Sequence, residues 1–521
     1  MEATGTDTRK NEIKYEKSEL ELMTTYQLRE ICRREKIMNG VIHPLDKEEL
    51  IQTIMRYMGK RQDFFICDKK KGGEERVEEF LKKTRIVIKP CKELYCQSQI
   101  LAYEGLSIEY YDGYTIPYKK ELSGTNAFLM GSDMTLCAIL NLKEHGERQE
   151  KLYLTKAAEL EIRETQRKDY RIFCMGRQTS ESLYHLYYGE HTILPEHIEV
   201  YSIPLIDFVV RKPVTLMLPM AIDFGSVNTT AGVYLDSAYF ENVGEQAAVK
   251  NCRENEINYT AFEDGAGESM LLPSVIGVLA VEEEDDKLLF GYDAIRLANA
   301  SYVDEGFCVF YDVKRWIGEY EKEEEIVDRQ GRRRLVKRAE ILRRFFLYII
   351  RKTENRFKCR ISQVHISSPV KQKHYFRRMF REILPEYMTG QETMLDEGMA
   401  VLYNTISNML EQDTLEENEE YEALIIDCGG GTTDLCSYRF RIQDRRAAYK
   451  IYMETTYENG DTDFGGNNIT YRIMQILKIA LVRATGNQNV SSVKEILEYM
   501  DTDIYRFIDS HGVKELSLIH I

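Results

Sequence analysis

The residues of this chain best suited to chemistry lie in Ala423-Leu-Ile-Ile-Asp427-Cys-Gly429-Gly430-Gly431-Thr432-Thr433-Asp434-Leu-Cys-Ser-Tyr438. An apolar run ends in a carboxylate, passes through glycines and hydroxyls, reaches a second carboxylate and turns apolar again. Glycines let backbone N–H groups close on phosphate oxygens without a Cβ in the way, and successive amides in such a turn form an anion-binding concavity. The pattern therefore reads as a phosphate cradle with metal-binding acids at its rim. A bare glycine-rich hairpin turn would account for the three glycines alone. It accounts less well for a second loop of the same kind upstream, Met220-Ala-Ile-Asp223-Phe-Gly225-Ser226-Val227-Asn228-Thr229-Thr230-Ala-Gly-Val-Tyr234.

The elements that must position these residues follow from the same pattern. Each stretch reads as strand, tight loop, strand, and two such hairpins with helices between them imply two facing half-domains. At 521 residues there is room for about three domains. With 43% apolar and 30% charged residues the composition is that of an ordinary globular protein. A net charge of -16 argues against a nonspecific grip on nucleic acid or anionic membrane through the whole surface. Eleven scattered cysteines make no C-x-x-C pair, which points away from a zinc site or a disulfide framework and fits a reducing cytoplasm. Cys428, at a strand end, is expected to be a buried free thiol. The N-terminus lacks the apolar core of a signal peptide. No run reaches membrane-spanning length, since the longest candidate, from Leu271 to Val281, is broken by Pro273.

In chain order, residues 1–20 are polar and expected to be a disordered tail. Residues 21–70 read as a helical module. Thr24 or Thr25 caps a first helix with Leu28, Ile31 and Cys32 inward. Asp46 and Glu49 make a capping-box start to a second, carrying Leu50, Ile51, Ile54 and Met58. Between them lies an extended loop, Met38 to Leu45. This arrangement resembles a SAP module, a small fold often used on DNA, and the resemblance implies that Arg29, Arg33, Arg34 and Lys36 would meet phosphates; a solvated helix face beside Glu30 and Glu35 is the competing reading. Lys69-Lys-Lys-Gly-Gly73 reads as a linker. Residues 76–214 alternate short apolar or aromatic runs with turns, among them Arg85 to Lys89, Leu106 to Tyr111, Ala127 to Met130, Leu136 to Leu142, Tyr170 to Cys174 and His197 to Ser202, the mark of a β-rich accessory domain. The regular spacing of His185, His191 and His197 matches no metal-ligand interval.

From residue 216 to 521 the chain resembles the actin, hexokinase and heat-shock chaperone superfamily of ATPases, and within it the nucleotide-binding domain of the seventy-kilodalton heat-shock chaperones. Besides the two loops, the stretches that carry the resemblance are Pro273-Ser-Val-Ile276 with Leu289-Phe-Gly-Tyr-Asp-Ala294; Phe310-Tyr-Asp-Val-Lys314-Arg-Trp-Ile-Gly318; Leu395-Asp-Glu397-Gly-Met-Ala-Val-Leu-Tyr403; and Gly460-Asp-Thr-Asp-Phe-Gly465-Gly466. They occur in the family's order. The resemblance implies an α/β, actin-like two-lobed ATPase fold of duplicated ribonuclease-H-like halves, preceded by the helical module and the β-rich domain. It also implies ATP or ADP and Mg²⁺ as ligands, with Asp223, Asp427 and Asp434 holding the cation through its water shell. Gly225, Ser226 and Val227 would hold phosphates from one side, and Gly429, Gly430, Gly431 and Thr432 from the other, with Gly465 and Gly466 contributing. Lys314 would stabilise the γ-phosphoryl charge and Glu397 would help position water and metal, with Asp427 and Thr432 completing the catalytic set.

Departures from the family temper this. Val227 stands in place of a threonine, Gly398 in place of a proline that would stiffen a helix start, and Asn467 and Asn468 in place of an acidic pair. No adenosine-holding Gly-Gly-x-[Ser/Ala]-Arg-x-Pro stretch follows Gly466, so the second lobe is expected to be incomplete and the chain a fragment. The functional expectation is slow Mg²⁺-dependent ATP hydrolysis by a cytoplasmic chaperone-like protein, with lobe closure coupled to the N-terminal domains and a protein client or co-chaperone-like partner. The alternatives are a filament-forming actin relative and an adaptor that binds DNA through residues 22–58. No membrane partner is expected.

Overall fold

Alternating and helical apolar patterns build a mixed α/β structure. The computed structural model describes residues 15, 17–34, 46–58, 63–146, 150–165, 169–244, 247–264, 267–283, 286–299, 307–328, 330–369, 372–387, 396–444, 449–461, 465, 466, 468–470, 473 and 477. Two compact units divide the chain: Met1–Leu216 with Leu235–Asn255 and Glu354–Arg360, and Met217–Tyr234 with Glu256–Thr353 and Ile361–Ile521.

In the first unit, helices Thr25–Arg34 and Lys47–Met58 begin at their capping residues. Gln27 N donates to Thr24 Oγ1 (3.4 Å), and Glu49 N donates to Asp46 Oδ1 (2.8 Å) while Asp46 N donates to Glu49 Oε2 (3.1 Å). Leu28, Ile31, Cys32, Leu50, Ile51 and Ile54 form their shared core. Tyr15 and Leu20 complete it, Leu20 from a short helix Lys17–Glu21. The expected disordered tail is therefore ordered at its end, because this small core needs those two side chains. Arg34 donates to the Tyr15 hydroxyl and Arg33 pairs with Glu30, so both cations are engaged within the module. Lys36 and the loop from Met38 to Leu45 lie outside the described residues.

The expected linker at Lys69 to Gly73 keeps its three lysines exposed but is tied to the fold at Lys70 and Gly73. Lys70 N donates to Tyr187 Oη (3.2 Å), and a Cβ on Gly73 would stand 2.6 Å from the Tyr187 ring. Gly73 opens helix Gly73–Lys83, which lies with helix Arg177–Tyr188 over one face of a seven-stranded sheet. Across that sheet the strands run Arg85–Lys89, His197–Leu205, Tyr170–Met175, Thr125–Gly131, Leu136–Lys143, Lys151–Thr155 and Thr115–Pro117. All neighbours are antiparallel except the first pair. A second core, which includes Ile100, Leu129, Leu140, Leu154 and Phe208, fills its other face. The run from Leu106 to Tyr111 is not a strand: it makes one bridge, at Ile108, and enters a 3-10 turn, Tyr110–Asp112.

Lys358 Nζ reaches Asp112 Oδ2 (2.7 Å) and the Ser107 carbonyl (3.0 Å), and the Tyr239 hydroxyl donates to the Phe357 carbonyl. These buried contacts place 235–255 and 354–360 in the first unit, whereas a linear division at residue 216 would assign them to the second.

The second unit holds the two hairpins. Strand Met220–Phe224 runs antiparallel to Asn228–Leu235 and parallel to Val364–Ile366. Beyond it, Phe224 packs edge-on against Phe346, and Phe346 against Phe380. Strands Ile276–Ala280 and Lys287–Phe290 pair before helix Tyr292–Asn299. Strands Tyr421–Cys428, Thr433–Asp444 and Tyr449–Asp461 form a meander. Helix Glu397–Glu411 covers one face of it, packing Leu402 and Ile406 on Tyr438, Phe440 and Ile442. Strand alternation turns Ala423, Ile425 and Asp427 towards that helix and Leu424, Ile426 and Cys428 away from it. Cys428 is accordingly exposed, not buried as expected. All eleven cysteines are free thiols. Among the described residues no helix is long and apolar enough to cross a membrane.

Candidate functional site

The two loops have the same construction. In the first, Gly225 N donates to the Asn228 carbonyl (3.1 Å), and Asp223 lies opposite Thr230. In the second, Gly429 N donates to the Thr432 carbonyl (2.9 Å), and Asp427 lies opposite Asp434. A side chain is excluded at Gly225, where a Cβ would stand 2.3 Å from the Asn228 carbonyl oxygen. Because the turn commits the Gly225 amide, the first-loop amides suited to an anion are those of Ser226 and Val227; by the same geometry the second loop offers Gly430 and Gly431. Ser226 is 6% exposed and Thr432 9%, whereas Val227 is 46% exposed.

Sequence reasoning missed the groups that brace these turns. Buried Ser274 donates through Oγ to the Gly225 carbonyl (2.7 Å), meets Thr229 Oγ1 (2.9 Å) and donates through its amide to the Val227 carbonyl (2.8 Å). Ser367 Oγ donates to Asp223 Oδ1 (2.7 Å). The available signals were a serine beginning the apolar run at 274–278 and the Ser367-Ser368-Pro369 turn ending the strand parallel to Met220–Phe224.

The second loop is backed by the turn at 465–468. Gly466 N donates to the Gly429 carbonyl (2.9 Å), and Gly465 N to Asn468 Oδ1 (3.0 Å). A Cβ at Gly465 would stand 2.6 Å from the Gly430 carbonyl oxygen. Gly466 thus uses its amide to support the loop, while the Gly465 amide closes its own turn on Asn468 and Gly465 packs against the Gly430 carbonyl. Asn468 has a role of its own here. Gly460 faces Asp434 across the sheet, and a Cβ there would come 2.4 Å from Asp434 Oδ1, so this glycine makes room for the carboxylate. Residues 462–464 and Asn467 lie outside the described residues.

Lys314 and Glu397, far apart in sequence, meet. Lys314 sits in a 3-10 helix, Val313–Glu319, and donates through Nζ to Glu397 Oε1 at 2.7 Å, both side chains nearly removed from water. Glu397 is the first residue of its helix. The preceding Asp396 caps that helix by accepting from Met399 N (2.7 Å) and is itself held by the Tyr438 hydroxyl (3.0 Å). Such a cap contributes about 1 kcal/mol, and the helix N-terminus favours a carboxylate there. The glycine that follows has a packing reason: a Cβ at Gly398 would stand 2.9 Å from Cys436 Sγ and 3.0 Å from Tyr438 Oη. The helix start is therefore capped and tightly seated, not loosened by its glycine.

Burial lifts the Glu397 pKa to about 7 against the pull of the Lys314 ammonium, with the carboxylates of Asp223 and Asp434 adding to the rise. One acid from each loop thus acts on the Lys314–Glu397 pair. The loops also approach each other: a Cβ at Gly431 would stand 2.8 Å from Ser226 Oγ and 3.4 Å from Asp312 Oδ1. Arg315 Nη2 donates to the Gly431 carbonyl at 3.2 Å.

Among the described residues no three His, Cys, Asp or Glu side chains converge closely enough to ligate a metal directly. The acids suit a different mode. Asp427 and Asp434 stand directly opposite each other, an arrangement of like charges that is unfavourable alone. A hydrated Mg²⁺ needs few carboxylates and keeps most of its waters, so it fits a rim of this kind. No known family model matches this chain, and no curated protein matches it.

Proposed function

We propose that this protein binds Mg²⁺-ATP between its two glycine loops and hydrolyses it slowly, with an actin-like fold related to the nucleotide-binding domain of the seventy-kilodalton heat-shock chaperones. The observation that carries the reading is the buried Lys314–Glu397 pair, 2.7 Å apart, under the electrostatic influence of an acid from each of two identically built hairpins. Burying a lysine and a glutamate carries a desolvation cost, and the acids of both loops acting on Glu397 are what set this pair apart from a purely structural one.

In this reading the amides of Ser226 and Val227 bind phosphate oxygens from one side and those of Gly430 and Gly431 from the other. Bound Mg²⁺ supplies neutralisation of the charge on the β- and γ-phosphates. Asp223, Asp427 and Asp434 would hold its waters, and its charge would relieve the repulsion across the Asp427–Asp434 pair. Ser367 orients Asp223. Lys314 presents its ammonium to the transferred phosphoryl group while holding Glu397 Oε1. That leaves Glu397 Oε2 to accept a proton from the attacking water, and a carboxylate with a pKa near 7 is matched to that work. Thr432 stays a supporting member, through its carbonyl. Nucleotide-dependent closure of the loops is what the N-terminal modules would sense.

The test is ATP turnover by the Asp427→Ala and Lys314→Ala variants. Loss of about tenfold or more in each is expected, by analogy with removal of a single charge-stabilising group. Wild-type rates in both would end the assignment.

A further inference from the structure

At the junction of the two loops lies a pair of residues to which the reaction above gives no task. Asp312 occupies the left-handed region, with φ 54°, immediately before the 3-10 helix that carries Lys314. That conformation is uncommon for a residue with a side chain. Its carboxylate is nine-tenths buried, and Oδ2 lies 2.8 Å from Arg315 Nε. The same guanidinium reaches out of the pair through Nη2 to the Gly431 carbonyl, 3.2 Å away. On the other side, the position a Gly431 Cβ would take is 2.8 Å from Ser226 Oγ and 3.4 Å from Asp312 Oδ1. Three segments remote in sequence therefore converge on Gly431: the first loop at Ser226, the 3-10 helix at Asp312 and Arg315, and the second loop itself.

The chemistry selects arginine for this place. A guanidinium presents several donors in a fixed plane, so one side chain can hold a carboxylate through one edge and a carbonyl through another; an ammonium on a flexible stem cannot reproduce both directions. Burial makes each of these contacts more consequential than it would be in water. A side chain on Gly431 would crowd Ser226, whose Oγ and Cβ stand 2.8 Å and 3.2 Å from where the Gly431 Cβ would lie.

We propose that Asp312 and Arg315 form a latch that holds the second glycine loop against the first, so that Arg315 is a positioning residue controlling how long a phosphorylated nucleotide is retained. The inference rests on the ATP-binding reading for its ligand, but the latch itself is a property of the protein alone. Arg315 fixes the Gly431 carbonyl, and with it the peptide unit joining Gly431 to Thr432, which holds the turn that carries the Gly430 and Gly431 amides against the first loop. Asp312 holds the guanidinium by charge, as an ion pair. A nucleotide leaves only when the loops part, and parting them breaks the Arg315–Gly431 bond. Arg315 bonds Gly431 whereas Lys314 bonds Glu397, so replacing Arg315 leaves the Lys314–Glu397 hydrogen bond in place and spares the chemical step.

Two measurements on the full chain separate the latch from the nucleotide reading. The first is amide hydrogen exchange of the 429–432 segment without nucleotide, in wild type and in Arg315→Lys, Arg315→Ala and Asp312→Asn. Exchange faster by ~10-fold is expected in all three variants, the factor corresponding to one lost hydrogen bond to a charged donor. Unchanged exchange in Arg315→Ala overturns the latch, whatever the ligand. The second is the rate at which a fluorescent ATP analogue is displaced by excess ATP, together with single-turnover hydrolysis. Release faster by ~10-fold, with single-turnover rates within ~3-fold of wild type, is expected for both Arg315 variants. Equal release rates overturn the retention role, as does a lysine that restores wild-type release. If wild type binds no ATP, the nucleotide reading fails, and the exchange experiment still decides the latch. Fluorescence of buried Trp316 confirms that each variant is folded.

Discussion

Replacing Lys314 by alanine leaves the Glu397 carboxylate without its cation where the two side chains are only 5% and 11% exposed. Breaking a buried pair in this way costs about 3–5 kcal/mol. Part of that cost varies with pH, and Glu397 sets the sign. Its pKa is raised from 4.5 to about 7, first by burial. The stability it contributes is therefore complete below the unfolded value and is lost as pH rises through about 7, at about 1.4 kcal/mol per pH unit. Above that point the wild-type carboxylate is ionised in both states, and its contribution levels off. Without the ammonium to draw it down, the Glu397 pKa lies higher, so the variant goes on losing about 1.4 kcal/mol per unit where wild type is level. The gap between Lys314→Ala and wild type is thus constant below about pH 7 and widens above it.

Urea unfolding at about pH 6 and about pH 8.5, followed by tryptophan fluorescence, measures this. Trp316 is the chain's single tryptophan, is 4% exposed and lies two residues from Lys314, so the signal comes from the unit that holds the pair. A double-mutant cycle with Glu397→Gln supplies the second reading, and the double variant should be less destabilised than the sum of the singles by about 1–3 kcal/mol. Equal gaps at the two pH values, or an additive cycle, would refute the assignment of a mutually dependent buried pair.

Two further substitutions probe the frame around the site. Gly398→Ala gains about 1 kcal/mol of helix propensity but drives a methyl into Cys436 and Tyr438. Overpacking of about 1–3 kcal/mol wins, so the urea midpoint falls and Cys436→Ala partly restores it; a more stable Gly398→Ala would contradict the close approach. Ser274→Ala strips a buried hydroxyl from the Gly225 carbonyl and Thr229, at a cost of about 1–3 kcal/mol. Faster hydrogen exchange in the 225–229 segment accompanies it, and exchange at the wild-type rate would show that the turn does not depend on Ser274.

Local rules made much of the frame legible in the chain itself. Both glycine loops are hairpins because an apolar run, an acid and a glycine-bearing turn leave the backbone few other solutions. The helix starts at Thr24 and Asp46 were marked by side chains that satisfy amides three residues away. Where such rules ran out, long-range packing decided. Tyr15 and Leu20 are ordered by a core assembled from two later helices, and Lys70 and Gly73 are held by Tyr187 from a distant helix. Cys428 is exposed because strand parity and the position of one helix choose which face is covered, and parity alone does not.

The site divides in the same way. Residue type and order nominated Asp223, Asp427 and Asp434 beside the two glycine loops, and the resemblance of their stretches to the chaperone ATPases nominated Lys314 and Glu397. Only the tertiary structure could say that Lys314 meets Glu397, that Ser274 and Ser367 brace the first hairpin, that Gly465 and Gly466 support the second loop, and that Asp312 and Arg315 meet Gly431. Each of these contacts joins segments far apart in the chain. A sequence encodes the chemistry of a side chain and the habits of its neighbours along the backbone. Which distant side chain shares its burial is set by how the elements pack, and that is where this site acquires its charge balance.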